Sequence, residues 1–203
     1  MGQRVIAGMT MSLDGYVTGP DDHPGQGLGR GGERLHYWVF GGPWTYADSR
    51  RRRPAPVDQE YIDRGFGSVG AIVVGRHMYE VAGGWGDEPG FGVPVFVVTH
   101  RAADRIVKGN TTFEFETGGA DAALQRGRAA AAEKNVMIMG GRQLLGEYFN
   151  AGVVDEFVLT IAPILLGSGK RLFEGVTRTD LEFERAGVIE SPFATHIRYL
   201  VRV

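Results

Sequence analysis

Val73-Val74-Gly75-Arg76-His77 and Met137-Ile138-Met139-Gly140-Gly141-Arg142 are built alike: an apolar run of strand type, then glycine, then a basic residue opening a helical stretch. The first amides of a helix have no intrahelical partner, and the helix dipole favours an anion beside them. Glycine at such a junction lets a phosphate approach the main chain, and arginine adds a charged donor. A plain strand-to-helix turn also accepts glycine, so either junction alone is ambiguous. Two of them on parallel strands point to one crevice, because in open α/β sheets the carboxyl ends of the strands line a common edge.

Outward from these segments the rhythm is regular. Strands are expected over Arg4–Met11, Ala71–Val74, Val93–Thr99, Thr111–Glu116, Val136–Met139 and Glu156–Leu165. Helices are expected over Arg76–Ala82, Asp121–Glu133 and Arg142–Phe149, with another from an Asp58 cap to about Phe66. Leu181–Ile189 and Thr195–Val203 pair as a terminal antiparallel hairpin. This alternation predicts an α/β three-layer sandwich: a mixed, mostly parallel central sheet flanked by helices. Residues 18–56 interrupt it with a long irregular excursion, helical at most near Glu33 to Phe40. Its aromatics, Tyr37, Trp38, Phe40, Trp44 and Tyr46, argue against disorder. The whole chain, 1–203, reads as one domain with that insertion.

With 203 residues, the chain can bury about 70% of its unfolded surface without staples. The absence of cysteine removes disulfides, thiolate metal sites and cysteine nucleophiles. A net charge of −2 supplies no basic field for nucleic acid. The longest apolar runs are interrupted and too short for a membrane span, and a cytoplasmic location is expected. The histidines (His23, His36, His77, His100, His196) lack metal-ligand spacing, so no metal is expected.

Two glycine motifs mislead. Gly27-Leu28-Gly29-Arg30-Gly31-Gly32 satisfies G-x-G-x-x-G, but no strand precedes it. Gly167-Ser168-Gly169-Lys170 lacks the first glycine and the final hydroxyl of a P-loop, since Ile164 and Arg171 stand there. The run Arg50–Arg53 reads as a solvated face, with an anionic-substrate grip as the minority reading.

Val97-Val98-Thr99-His100-Arg101 ends a strand at the same edge. Hydroxyl, imidazole and guanidinium suit a terminal phosphate, and the carboxylate that NAD sites use for ribose hydroxyls is missing from this turn. NADPH is therefore favoured over NADH.

Taken with Ile6-Ala7, Ser12-Leu13-Asp14-Gly15, Val73 to Tyr79, Val136 to Leu144 and Pro163 to Phe173, these segments resemble the dihydrofolate-reductase-like superfamily. The likeness is closest to the reductase domain of bifunctional riboflavin-biosynthesis deaminase–reductases and its stand-alone relatives. It implies that Gly75, Arg76 and His77 meet the cofactor phosphates and that Thr99, His100 and Arg101 surround the 2′-phosphate. It also implies that Gly140, Gly141, Arg142, Gln143 and Leu144 pass beneath the pyrophosphate, with a cis bond between Gly140 and Gly141. Ala7 would contact the nicotinamide, with Asp14 and Gly15 in the loop above it. The family commonly forms homodimers, and the long apolar terminal strands need covering.

The departures concern the substrate. No acid aligns with the carboxylate that grips the pterin in dihydrofolate reductases; Glu33, Asp58 and Glu60 all remain open. The expected reaction is hydride transfer from NADPH to a small planar heterocycle or carbonyl compound. Trp38, Phe40 and Trp44 would form a substrate wall, with Tyr79 and Trp85 nearby. Asp14 is a candidate for proton delivery, with a tight Asp-Gly turn as its competing role. The alternative class is a nucleotide-binding sensor or partner of the same fold without turnover.

Overall fold

The computed structural model describes residues 2–48 and 52–203. Among them, the strands are β1 (Val5–Ser12), β2 (Tyr16–Thr18), β3 (Val69–Gly75), β4 (Val95–Val98), β5 (Ile106–Lys108), β6 (Thr111–Glu116), β7 (Asn135–Gly140), β8 (Glu156–Ala162), β9 (Lys170–Arg171), β10 (Glu182–Glu190) and β11 (Thr195–Arg202). The α-helices are α1 (Tyr37–Phe40), α2 (Pro56–Gly67), α3 (Arg76–Val81), α4 (Gly119–Ala131) and α5 (Arg142–Ala151).

Nine strands form the main sheet in the order β10-β11-β8-β1-β7-β3-β4-β6-β5. The run from β8 through β1, β7, β3 and β4 to β6 is parallel, and β11, β10 and β5 add antiparallel edges. The pleat alternates the two faces. Ala71 and Val73 of β3 pack with Leu124, Leu144 and Leu145 beneath α4 and α5. Ile72 and Val74, one residue out of phase, join Val95, Phe113 and Tyr79 on the opposite face. A strand buried on both sides reads as a continuous apolar run, as Ala71–Val74 does. The expected α/β sandwich is the observed one.

Boundaries shift where chemistry overrides periodicity. β8 ends at Ala162, because Pro163 brings no amide to the ladder. α2 starts at Pro56 with Ala55 as its N-cap, so the expected Asp58 cap is corrected. Proline preorganises the first turn, and Asp58 is turned inward and fully buried. Three short strands, β2, β5 and β9, carry no readable period; β2 and β9 form a separate two-stranded sheet.

The excursion is a packed unit. Leu35 is buried with Ala162 and Ile164. Phe40 and Trp44 lie 4.3 Å apart between ring centroids, and Trp44 donates to the Glu33 carbonyl. The G-x-G-x-x-G stretch lies against residues 19 and 20: Gly19 donates to the Leu28 carbonyl and Arg30 to that of Pro20, each at 2.8 Å. A β-carbon on Gly29 would fall 2.3 Å from the Gly19 carbonyl oxygen, which explains glycine without a phosphate. Gly169 meets the Thr18 carbonyl even more closely, at 1.9 Å, with φ at +129°. Within the Arg50–Arg53 run, Arg50 and Arg51 lie outside the described residues.

Gly169→Ala is expected to destabilise the protein by about 2–4 kcal/mol, because left-handed strain and a backbone collision add. Gly167→Ala, where φ is +74° but space is open, should cost only about 1–2 kcal/mol. Urea denaturation of both variants compares them, and equal midpoints would contradict the packing described.

Candidate functional site

The parallel strands place their carboxyl ends side by side. Gly75 closes β3, Gly140 closes β7, and Thr99 follows β4. The two glycine junctions are neighbours: a β-carbon on Gly75 would stand 3.6 Å from the Gly141 nitrogen and 3.9 Å from the Leu144 β-carbon. Gly140 has φ at +117°, and the Gly140–Gly141 peptide is cis. Neither α3 nor α5 has a side-chain cap, so the opening amides of the ten-residue α5 face the crevice with no side chain in place of a ligand.

The expected cofactor residues divide. Gly75, Gly140 and Gly141 adjoin, while Arg142, Gln143 and Leu144 form the first turn of α5. Arg142 reaches toward the Glu174 carbonyl and carboxylate. Ala7 is fully buried in β1, paired with Ile138 of β7 and Phe157 of β8. His100 and Arg101 are exposed after β4, but the Thr99 hydroxyl accepts from the Arg101 amide at 3.1 Å and serves the turn itself. Arg76 pairs with Glu80 and lies over the Phe115 ring.

His77 is held differently from expectation. Its Nε2 lies 2.5 Å from Asp22 Oδ2, which also receives Lys170 Nζ at 2.6 Å. Burial alone would raise the Asp22 pKa, but the bonds from His77 and Lys170 outweigh it and lower it. The excursion is thereby tied to α3 and to β9.

Asp14, the candidate for proton delivery, closes a loop in this structure. Its carboxylate accepts from the Ser12 hydroxyl at 2.5 Å, the Leu166 amide at 3.1 Å and the Gly167 amide at 2.7 Å. Burial works against ionisation, yet those hydrogen bonds prevail and hold the pKa at about 2. Both carboxylate oxygens are thus committed to donors of the loop itself. Gly15 sits beside it at φ +85°, and Arg171 donates to the Asp14 carbonyl.

On the sheet face opposite α4 and α5 lies an open cleft of about 1300 Å³. Gly8, Met137, Val158 and Thr160 contribute to its floor, with Trp38, Phe40 and Tyr61 among its walls. Trp38, Phe40 and Trp85 therefore border it as expected. Tyr79 does not: it packs edge-on against Phe113 and Phe115, 5.2 and 5.4 Å away, within the core. Trp44 stacks inside the excursion. Met9 and Met78 line the cleft and are also the side chains nearest a β-carbon built on Gly140, so the glycine edge and the cleft share them as a boundary.

A polar chain reaches the floor of the cleft. Asp58 Oδ1 is 2.8 Å from His196 Nε2, and His196 Nδ1 is 2.8 Å from Thr160 Oγ1. All three residues are buried. Tyr61 stacks on the imidazole at 4.0 Å, and Trp38 meets it edge-on at 4.9 Å. Burial lowers the His196 pKa below the ordinary value, and Asp58 opposes that shift without cancelling it. Sequence spacing does not reveal the chain, because 36 residues separate Thr160 from His196 and 138 separate Asp58 from it. The remaining acids part from it: Glu60 pairs with Arg64 on the exposed side of α2, and Glu33 lies in the excursion.

Residues 3–192 match the family model described as the RibD C-terminal domain. The chain belongs to that family. A Shewanella structure described as a putative riboflavin biosynthesis protein superposes with a TM-score of 0.70 at 19% identity, covering 99% of this chain and 100% of the other. Dihydrofolate reductase from Enterococcus faecalis, complexed with NADP(H) and RAB-propyl, superposes at 0.58 with 13% identity, covering 100% of each chain. Uncharacterized protein YwjB of Bacillus subtilis (strain 168) is 40% identical over 43 residues, which span 21% of this chain and 25% of that relative. The sheet order and the superposition on dihydrofolate reductase define a dihydrofolate-reductase-like fold.

Asp14→Asn should lower stability at neutral pH by about 2 kcal/mol, the worth of a hydrogen bond to a charged group, or roughly 4–8 °C in Tm. The folded pKa lies below the unfolded value, so this stabilisation is complete above pH 4 and fades as pH falls toward 2. Calorimetry of both proteins should show their Tm values converging in acid; a constant gap would refute the clamp.

Proposed function

We propose that this chain is an NADPH-dependent reductase acting on a small planar heterocycle or carbonyl compound of pterin, pyrimidine or flavin-precursor type. The observation that carries this reading is the shared boundary at Met9 and Met78, where the glycine edge adjoins a large apolar-walled cleft. The residues fit the dinucleotide: Gly75, Gly140 and Gly141 leave its backbone approach open, and the first turn of α5 offers amides with no side-chain cap. His100 and Arg101 would hold the 2′-phosphate. Bound there, the cofactor supplies a hydride to the substrate.

The protein's part is alignment and exclusion of water. Trp38 and Phe40 border the cleft where a flat substrate would lie, and Gly8 leaves the β1 floor low beneath it. His77 and Lys170, closed around Asp22, hold the excursion against α3 so that this wall stays in place. The outer strand β10 exposes Phe183 and Val188, which supports a homodimer through that edge. Light scattering at micromolar concentration should give about twice the chain mass.

Thermal shift provides the first measurement. NADPH at 100 times its Kd should add about 2.7 kcal/mol, roughly 5–11 °C. Arg101→Ala should weaken NADPH about tenfold or more while leaving NADH unchanged, as expected for a lost charged contact to the extra phosphate. No shift with NADPH, alongside a shift with other nucleotides, would overturn the reading. A screen of pterins, flavins, pyrimidines and quinones then tests turnover; binding without any NADPH oxidation would favour a sensor of the same fold.

A further inference from the structure

We infer that Thr160, His196 and Asp58 form a proton relay in which the Thr160 hydroxyl is the catalytic donor to substrate and His196 recharges it. This rests on the reductase reading above, and its chemistry follows from the order of the atoms.

A carboxylate carries no proton, so His196 Nε2 must donate to Asp58. In neutral His196, Nδ1 is then a bare acceptor that takes the Thr160 O–H. Thr160 in that state offers only lone pairs to the cleft that it lines. When His196 gains a proton, Nδ1–H donates to Thr160 Oγ1, and the Thr160 hydrogen, released from the ring, turns toward the cleft or the Tyr61 hydroxyl that also lines it. One protonation thus converts the hydroxyl from acceptor to donor.

Hydride delivery to the carbon of a C=N or C=O bond leaves the nitrogen or oxygen needing one proton. Thr160 O–H gives it, Thr160 Oγ1 takes Nδ1–H from His196, and the imidazolium becomes neutral while still donating Nε2–H to Asp58. After product leaves, water in the open cleft gives a proton to Thr160 Oγ1 while the Thr160 hydrogen passes to His196 Nδ1, which restores the imidazolium. The hydride brings two electrons and one proton to carbon and the relay brings a second proton to nitrogen or oxygen, so the reduced bond gains two electrons and two protons.

Three features argue against a purely structural triad. Asp58 Oδ2 is buried with no partner among the described residues, as is Trp38 Nε1 on the other flank of His196. A carboxylate kept only for packing would satisfy both oxygens, since each orphaned buried atom is costly. The imidazole is also fixed on both sides by aromatic rings, which holds its two nitrogens in line with their partners. Finally, Thr160 and His196 face each other directly across β8 and β11 at the cleft.

The groups facing His196 from each packed element are few. α2 contributes Asp58 and Tyr61, β8 contributes Thr160, α1 contributes the apolar face of Trp38, and β10 pairs Ile189 with it. Burial raises the Tyr61 pKa despite its hydrogen bond with Thr160, so Tyr61 stays neutral. Asp58 is the charge that acts on the ring.

Two measurements test the relay. In ligand-free protein labelled with 15N-histidine, His196 should carry hydrogen on Nε2 alone at pH 8. It should gain the Nδ1 proton with a midpoint below the ordinary value of 6.5, and Asp58→Asn should lower that midpoint further. A proton on Nδ1 at pH 8, or a ring unchanged from pH 4 to 9, overturns the relay whether or not the protein reduces anything. With NADPH and a dihydropterin as the probe, kcat should fall about tenfold per pH unit above that midpoint. Thr160→Val should lower kcat by about 100-fold or more and flatten the profile, with KM and NADPH binding within about twofold, while Thr160→Ser restores both rate and slope. An unchanged profile in Thr160→Val sinks the proposal. Absence of NADPH binding removes the reductase reading instead, and leaves the histidine spectrum to decide the relay.

Discussion

The parallel sheet, buried on both faces at β3 and β4 and open on one face at the cleft, is the constraint from which the rest follows. Its central strands are paired on both edges, so their polar main chain is either in the ladder or at a strand end. Ligand-facing backbone can therefore appear only where β3, β4 and β7 stop, and Gly75, Thr99 and Gly140 stand there. The same constraint governs side chains in the middle of the sheet. A polar residue on such a strand must bring its own partners, and Thr160 does so through His196 and Asp58.

Sequence patterning exposes the strand-to-helix junctions because apolar runs, glycine and basic helix starts are local signals. Gly75 and Gly140 fall at the ends of β3 and β7 as their context implies. Short strands such as β5 and β9 escape, since three or two residues hold no period. Asp58 shows a different failure. A carboxylate near a helix start normally caps it, but Ala55 and Pro56 open α2, and the turn points Asp58 at a strand that lies far along the chain. Thr160 and His196 look unremarkable in isolation; only the pairing of β8 with β11 gives them a chemical meaning.

The glycine clusters show the opposite lesson. The stretch most like a nucleotide fingerprint serves main-chain contact within the excursion, where Gly29 meets Gly19. At Gly75 and Gly140 the neighbours are Gly141 and Met9, at the mouth of a crevice. Composition is alike in both places, and what differs is whether the glycine abuts the chain's own carbonyls or a strand end. Asp14 and Asp22 behave similarly. Each reads as a turn or surface acid, and each closes a loop by gathering donors from distant segments.

The link between Asp58 and His196 spans 138 residues and has a consequence for how the protein matures. During synthesis α2 leaves the ribosome long before β11 exists, and β8 pairs with β11 only at the close. Contacts of such large sequence separation form late, because their loop-closure entropy must be overcome first. The glycine edge can thus assemble from β3, β7 and α5 while the cleft floor still lacks its imidazole. A nascent chain would pass through a stage with its strand-end glycines already set side by side and the polar chain beneath the cleft not yet closed.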